Sequence, residues 1–298
     1  MILLTLGMAL AAAAVEPQHS CKLNLIASAP GENRVMFRGL SPDGRFMAIG
    51  WDRKAESKME RGAYLLDLRT GARSNLPHLN NAASFSPDGR FLVSANYAAD
   101  RSLKTEIVEL NRRTGGARTL ASAPSAEWLG SYSTDGRWVV FNSTRSGGSD
   151  LYRVRRDTGS VEQLTSDARY EAHGQLFDRD RKLLFHRQTS GANYDIVMRD
   201  LATGKETDVG ATPLEEAYPA ISPDERRIAF SAVANAGEAP TLHLMNVNGS
   251  GRRRLTFGSS KDAYATWHPN GSSIYFVRFE PDASKIYRID LKVGACGR

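Results

Sequence analysis

From Lys22 onward the chain alternates short apolar runs with clusters of Ser, Asp, Gly, Pro and Arg, and no segment sustains a helical apolar period. Runs of this kind, rich in Val, Ile, Phe and Tyr and bounded by turn residues, predict β-strands. The alternation itself recurs. "GLSPDGRFMAI" from Gly39, "SFSPDGRFLVS" from Ser84, "SYSTDGRWVVF" from Ser131 and "AISPDERRIAF" from Ala220 are near copies of one another. "LFDRDRKLLFH" from Leu176 and "TWHPNGSSIYF" from Thr266 are degraded ones. Anchored on Ser41, Ser86, Ser133, Asp178, Ser222 and His268, the copies lie 45, 47, 45, 44 and 46 residues apart. That period suits a four-stranded propeller blade. The pattern therefore predicts an all-β chain, a six-bladed β-propeller of four-stranded blades.

Ser-Pro-Asp-Gly is turn chemistry: Pro presets φ near −65° and Gly tolerates positive φ. An Asp recurring in nearly every copy of one turn is read as structural rather than catalytic. The sixth copy has only 30 residues after His268, too few for its fourth strand. "KLNLIASAP" (residues 22–30) resembles the fourth strand "GARTLASAP" (residues 116–124), so the N-terminal segment is expected to complete the last blade. Closure of this kind leaves no open sheet edge.

The chain has 298 residues, 41% of them hydrophobic, which is enough apolar content for a sizeable core. Its beginning departs from the repeat. "MILLTLGMALAAAAVEP" carries no charge before Glu16 and ends its apolar run in small residues, which predicts a signal peptide over residues 1–14. The run is too short for the ~20 residues of a membrane-spanning helix. Residues 15–298 are then one exported propeller domain, periplasmic or secreted. In an oxidising compartment Cys21 and Cys296, near the two ends of that domain, are expected to form a disulfide.

The formal charge of +6 is unevenly placed. Arg45, Arg90, Arg137, Lys182 and Arg226 follow the first turn of the first five blades. Arg112, Arg113, Arg118, Arg155, Arg156, Arg252, Arg253 and Arg254 surround the second. These are read as solvated residues on one face, partly paired with Asp43, Asp88, Asp135, Asp180 and Asp224, because exposed pairs carry little energy. Nucleic acid is not an expected partner, since no base-stacking aromatics interleave with these cations.

On the opposite face, the segments entering successive blades bring Glu127, Glu171, Glu216 and Asp262 together with Trp128, His173, Tyr218 and Tyr264. The expectation is a ring of carboxylates and aromatics at the mouth of the central channel, locally negative, where a ligand or partner binds. The six histidines show no zinc spacing, and neither a nucleophile elbow nor a phosphate-cradling glycine loop occurs, so no cofactor and no bound metal are expected.

The "FSPDGR" turn, followed by "NSTRSGGSDLYRVRRDTGSVEQLTSD", resembles the PD40 repeat of the TolB-like six-bladed propeller family, a WD40-like unit. That repeat carries an aromatic-SPDG turn, an S-x-R-x-G loop, an Ile/Leu-Tyr strand and a closing Arg/Gln-Leu-Thr. Copies three and five match it best and copy four worst, and the resemblance runs from Lys22 to Arg298. It implies an exported, non-enzymatic, monomeric propeller that binds an envelope or periplasmic protein, such as a lipoprotein-like one in the sense of the Tol–Pal system. The α/β domain that precedes the propeller in TolB itself has no counterpart in this reading. The alternative is a metal-assisted lyase or hydrolase acting on an oligosaccharide in the channel, as in the similar fold of a pectate-type lyase. His173 with Gln175 is the echo of its metal site.

Overall fold

The computed structural model describes residues 21–30, 34–56, 58–97, 104–191, 193–210, 212–213, 215–281 and 283–291. The expected signal peptide (residues 1–14) and Cys296 lie outside the described residues. Six four-stranded antiparallel sheets follow one another along the chain, and each begins at one of the six sequence copies. Blade three is representative. Its inner strand Glu127–Tyr132 is followed by Trp138–Ser143, Asp150–Arg155 and the outer strand Val161–Gln163, each paired with the next. Among the described residues no helix is long and apolar enough to cross a membrane.

The turn from inner to second strand is held by the side chains its sequence supplies. Ser133 Oγ donates to Asp135 Oδ1 at 2.8 Å and accepts the Trp138 N–H at 2.9 Å. Gly136, at φ 70°, donates its N–H to the Ser133 carbonyl at 3.0 Å. The same Ser–Asp bond recurs at Ser86–Asp88 and Ser222–Asp224, so the recurrent Asp is structural, as its repetition predicts. In blade four, where the motif is lost, Asp178, Arg179 and Asp180 all take left-handed backbone, at φ 54°, 56° and 62°. Neighbouring blades hold this run. The Asp178 N–H donates to Glu225 Oε2 at 3.0 Å, and Thr134 donates its N–H and Oγ1 to Asp180 Oδ1 at 2.8 and 2.9 Å.

The core lies between blades rather than within them. Six buried clusters are present, and each draws its side chains from two adjacent blades. One joins Val93, Ala95 and Ile107 of blade two to Val139, Phe141 and Tyr152 of blade three. Phe141, Phe185, Phe230 and Phe276 occupy matching places on the second strands of blades three to six and are fully buried. Each contributes roughly 1.5–3 kcal/mol of burial free energy. The cluster of Val35, Phe37 and Ile49 with Tyr275, Val277 and Ile286 joins blade one to blade six and completes the circle.

Closure follows the sequence expectation. Leu23–Pro30 pairs antiparallel with Ala283–Asp290 as the fourth strand of the last blade, with Leu23 opposite Ile289 and Ser28 opposite Lys285. Cys21, just ahead of this strand, is buried against Leu255, Trp267 and Ile289.

Candidate functional site

The channel is shaped by a fault repeated in its wall. In five of the six blades the inner strand carries two residues against one on the second strand. The paired residues are Arg38-Gly39, Leu129-Gly130, His173-Gly174, Tyr218-Pro219 and Tyr264-Ala265. A bulge of this kind re-aims a side chain. Leu129, His173, Tyr218 and Tyr264 sit there at φ 64°, 61°, 56° and 57°. Bulky residues rarely adopt this conformation, and each costs of order 1–3 kcal/mol. Four successive blades bear that cost at the same position.

The side chains so presented converge. His173 meets Tyr218 edge-on with ring centroids 4.8 Å apart, and Tyr218 meets Tyr264 at 4.8 Å. His186, from the second strand of blade four, lies 4.9 Å from His173 and 4.9 Å from Tyr194. With Trp128, Tyr170 and Arg34 these residues line a cavity of about 190 Å³ whose lining contains no carboxylate. The Arg34 guanidinium bonds the Tyr264 hydroxyl, and the Lys261 ammonium lies 5.6 Å from the centre of the Tyr218 ring.

Both histidines are held uncharged. Burial pushes His186 down to about 3, with the Arg38 charge adding to it. Burial, His186 and Arg38 together push His173 well below the ordinary imidazole value. The Tyr218 N–H donates to His186 Nδ1 at 3.1 Å, which fixes the proton of that ring on Nε2, and Nε2 is buried without a partner. His173 Nδ1 lies 3.3 Å from Nη1 of Arg38, whose guanidinium can only donate.

The expected ring of carboxylates does not form at this mouth. Glu127, Glu171, Glu216 and Asp262 stand at the start of the inner strands and are fully buried. Each is paired with an arginine. Arg187 donates to Glu171 at 2.6 Å, Arg278 grips Asp262 with two bonds of 2.7 Å, Arg145 pairs with Glu127, and Arg252 pairs with Glu216. Burial pushes Glu127, Glu171 and Glu216 up, against the pull of these partners. Their spacing in the sequence is that of rim residues, but each lies within the first two residues of its strand and is turned into the protein. The predicted residues therefore divide. Trp128, His173, Tyr218 and Tyr264 share one cavity, whereas the four acids are ties inside the ring. The locally negative mouth is corrected to one faced by Arg34 and lined with aromatic rings.

On the opposite face several basic residues form exposed pairs, among them Arg90–Asp88 at 2.6 Å and Arg155–Asp157 at 2.9 Å. Others turn inward. Arg156 and Arg118 share the buried Glu109 at 2.6 and 2.7 Å, and Arg252 leaves the surface for Glu216. A second cavity, of about 320 Å³, opens along the channel and is lined by Arg38, Ser84, Ser131, Gln175, Thr266 and Trp267 among others. Arg38 thus stands between the two cavities, bonded to His173 of one and lining the other.

Arg34, Arg38, His186 and Tyr194 escape the sequence reading. His186 falls in a run that reads as a strand, but nothing in the local alternation says which strand face meets the channel. Arg38 did leave a signal. It precedes Gly39 as Leu129 precedes Gly130 and His173 precedes Gly174, a bulky residue before a small one just ahead of each anchor.

Comparison with known proteins points one way. The model of a family described as "TolB beta propeller domain" (PD40) matches residues 29–200. An uncharacterized protein of Agrobacterium fabrum is 34% identical over 137 residues, 44% of this chain and 43% of its own. A TolB homolog of Chlorobium chlorochromatii is 30% identical over 149 residues, 50% of this chain and 32% of its own. The chain thus spans less than half the length of these curated relatives. Among solved structures, TolB from Acinetobacter baumannii superposes with a TM-score of 0.65 at 25% identity, over 79% of this chain and 57% of that one. A putative TolB from Agrobacterium tumefaciens gives 0.67 at 19% identity, over 88% and 91%. An oligogalacturonate lyase from Vibrio parahaemolyticus, at 0.61 and 13% identity over 92% and 95%, shares the fold.

Proposed function

The chain belongs to the TolB beta-propeller family, and from that premise we propose that it is an exported, non-enzymatic propeller that docks a protein partner of the periplasm or envelope at the mouth of its channel. The observation that carries this reading is the left-handed backbone at Leu129, His173, Tyr218 and Tyr264, which aims four side chains at one opening. Strain repeated at one position is tolerated where the surrounding structure enforces it, and such positions cluster at binding sites. Aromatic rings supply most of the anchoring area in protein interfaces, and the cavity of about 190 Å³ fits one or two inserted side chains. With Arg34 and no carboxylate in the lining, the inserted segment is expected to be apolar or acidic rather than basic.

A metal-assisted lyase or hydrolase gains less support. Among the described residues no group of three or more His, Cys, Asp or Glu side chains is placed to hold a metal ion. The two mouth histidines face each other, but Nδ1 of His186 is taken by the Tyr218 N–H and Nδ1 of His173 faces Arg38.

Photo-crosslinking in intact cells tests the docking. A photoreactive phenylalanine analogue at Trp128 should join the chain to one discrete envelope protein. Combining Tyr218→Ala with Tyr264→Ala should cut that product at least tenfold while the purified ring still unfolds cooperatively. A product formed from position 113 on the opposite face, with none from position 128, would move the partner to the basic face and end this proposal.

A further inference from the structure

Arg38 is an unusual charge in this molecule. Five other arginines drawn into the ring, Arg145, Arg156, Arg187, Arg252 and Arg278, each meet a carboxylate. Arg38, from the inner strand of blade one, meets none among the described residues. Among the described residues, Nη1 reaches His173, Nε is buried without a hydrogen-bond partner, and Nη2 makes no hydrogen bond. Burial brings its guanidinium down to about 10, which leaves it charged at neutral pH. A buried charge is ordinarily paired, because an unpaired one carries its desolvation cost without return.

The cavity of about 320 Å³ beside it has few other groups to offer an anion. Ser84 and Ser131 donate to the Gly130 and Gly174 carbonyls at 2.9 and 2.8 Å, and Gln175 donates to the Pro219 carbonyl at 3.0 Å. Thr134 Oγ1 is committed to Asp180. Glu225 also lines the cavity, but its carboxylate accepts the Asp178 N–H and forms no ion pair with Arg38. The neighbouring histidines, His173 and His186, are neutral. The site therefore has one cation, with donors left on a planar fork, one carboxylate in Glu225, and nothing to balance a further negative charge beyond that of a single monovalent anion.

We propose that this inner cavity is a binding site for a monovalent carboxylate, seated on the free guanidinium edge of Arg38. The fork geometry matches two carboxylate oxygens, while a divalent phosphate or sulfate would bring a charge that no group here compensates. This site is separate from the docking mouth, and either can fail without the other.

The test uses the whole protein, calorimetric titration and thermal melts. N-acetylglycine, which mimics a peptide C-terminus, and acetate, a free small acid, should both bind and raise the melting temperature. N-acetylglycinamide should bind at least tenfold more weakly than N-acetylglycine. Tighter binding of N-acetylglycine than acetate assigns the carboxylate to a chain end, and the reverse assigns it to a small acid. Arg38→Met should lose at least tenfold in affinity for both acids, yet melt no lower than the parent, because it removes an unpaired buried charge. Arg38→Lys should retain part of the affinity. If Arg38→Met fails to fold, the Arg38 side-chain NMR resonance of the parent should move with N-acetylglycine and stay fixed with the amide. Equal binding of acid and amide, undiminished binding by a folded Arg38→Met, an unmoved Arg38 resonance, or sulfate binding as tightly as the acids would overturn the proposal.

Discussion

The most constrained side chain at the mouth is His186, fixed by a backbone donor on one nitrogen and surrounded by His173, Tyr194 and Tyr218. Its burial has a consequence for stability. Unfolded, its imidazole titrates near 6.5; folded, it titrates near 3. As pH falls below 6.5 the unfolded chain takes up a proton that the folded chain refuses, so the contribution is full above 6.5 and drains away toward 3. His243, also depressed to about 3 by burial, acts in the same sense. We expect the urea midpoint to decline steadily from pH 6.5 downward, and His186→Gln to make that decline shallower. A midpoint flat to pH 4 would contradict the neutral, buried ring. A second loss should follow at lower pH. Asp67, bonded by Arg45, and Asp88, bonded by Ser86, titrate near 2 instead of 3.8, so their contributions vanish between those values.

At the scale of the strand, the bulge is the element that makes the site, and its second residue shows how closely it is packed. A methyl on Gly174 would lie 2.8 Å from Leu151 Cδ2 and 2.9 Å from Val140 Cγ1, whereas one on Gly39 would meet nothing within 4 Å. Gly174→Ala should therefore destabilise the protein by about 1–3 kcal/mol, as overpacked cores do, and Gly39→Ala should be near neutral. Chemical denaturation of the two variants separates the cases, and equal losses would mean that the bulges are not packed as described. The same comparison marks where the sequence could be read. Strand order, the SPDG turns and the closure by Leu23–Pro30 were legible because each is a local pattern repeated along the chain. Trp128, His173, Tyr218 and Tyr264 could be found because each stands four or five residues ahead of its anchor. The direction of Glu127, Glu171, Glu216 and Asp262 could not, because a carboxylate beside a strand end reads alike whether water or an arginine of its own blade lies next to it. Arg38 was hidden for a related reason: its meaning lies in the partner it lacks.

At the scale of the whole ring, the six interfaces are alike in composition, but the blade-six sheet is built from both ends of the described chain. Cys21 is buried beside the closing strand, in one cluster with Leu291, the residue that follows Asp290. A disulfide to Cys296 is expected in oxidised, exported protein, and a non-reducing digest should yield one peptide pair carrying both cysteines. Reduction should lower the melting temperature, since the bond closes a very long loop, worth up to about 5–6 kcal/mol in the chain-entropy account. Free thiols at both positions in material recovered from the periplasm would refute the bond.

The closing strand also governs how the molecule is assembled. Asn24 bonds Asp290 across a separation of 266 residues, so the last sheet is completed by segments that are nearly the whole chain apart. Until they meet, Ala283–Asp290 is an unpaired sheet edge and Leu23–Pro30 a loose strand that matches it. Any other copy of the chain carries an equally good match. At high concentration two half-closed rings can therefore complete one another by exchanging first strands, trading an intramolecular seam for an intermolecular one with the same hydrogen bonds. Refolding of this protein is a contest between self-closure, which is indifferent to concentration, and exchange, which is not.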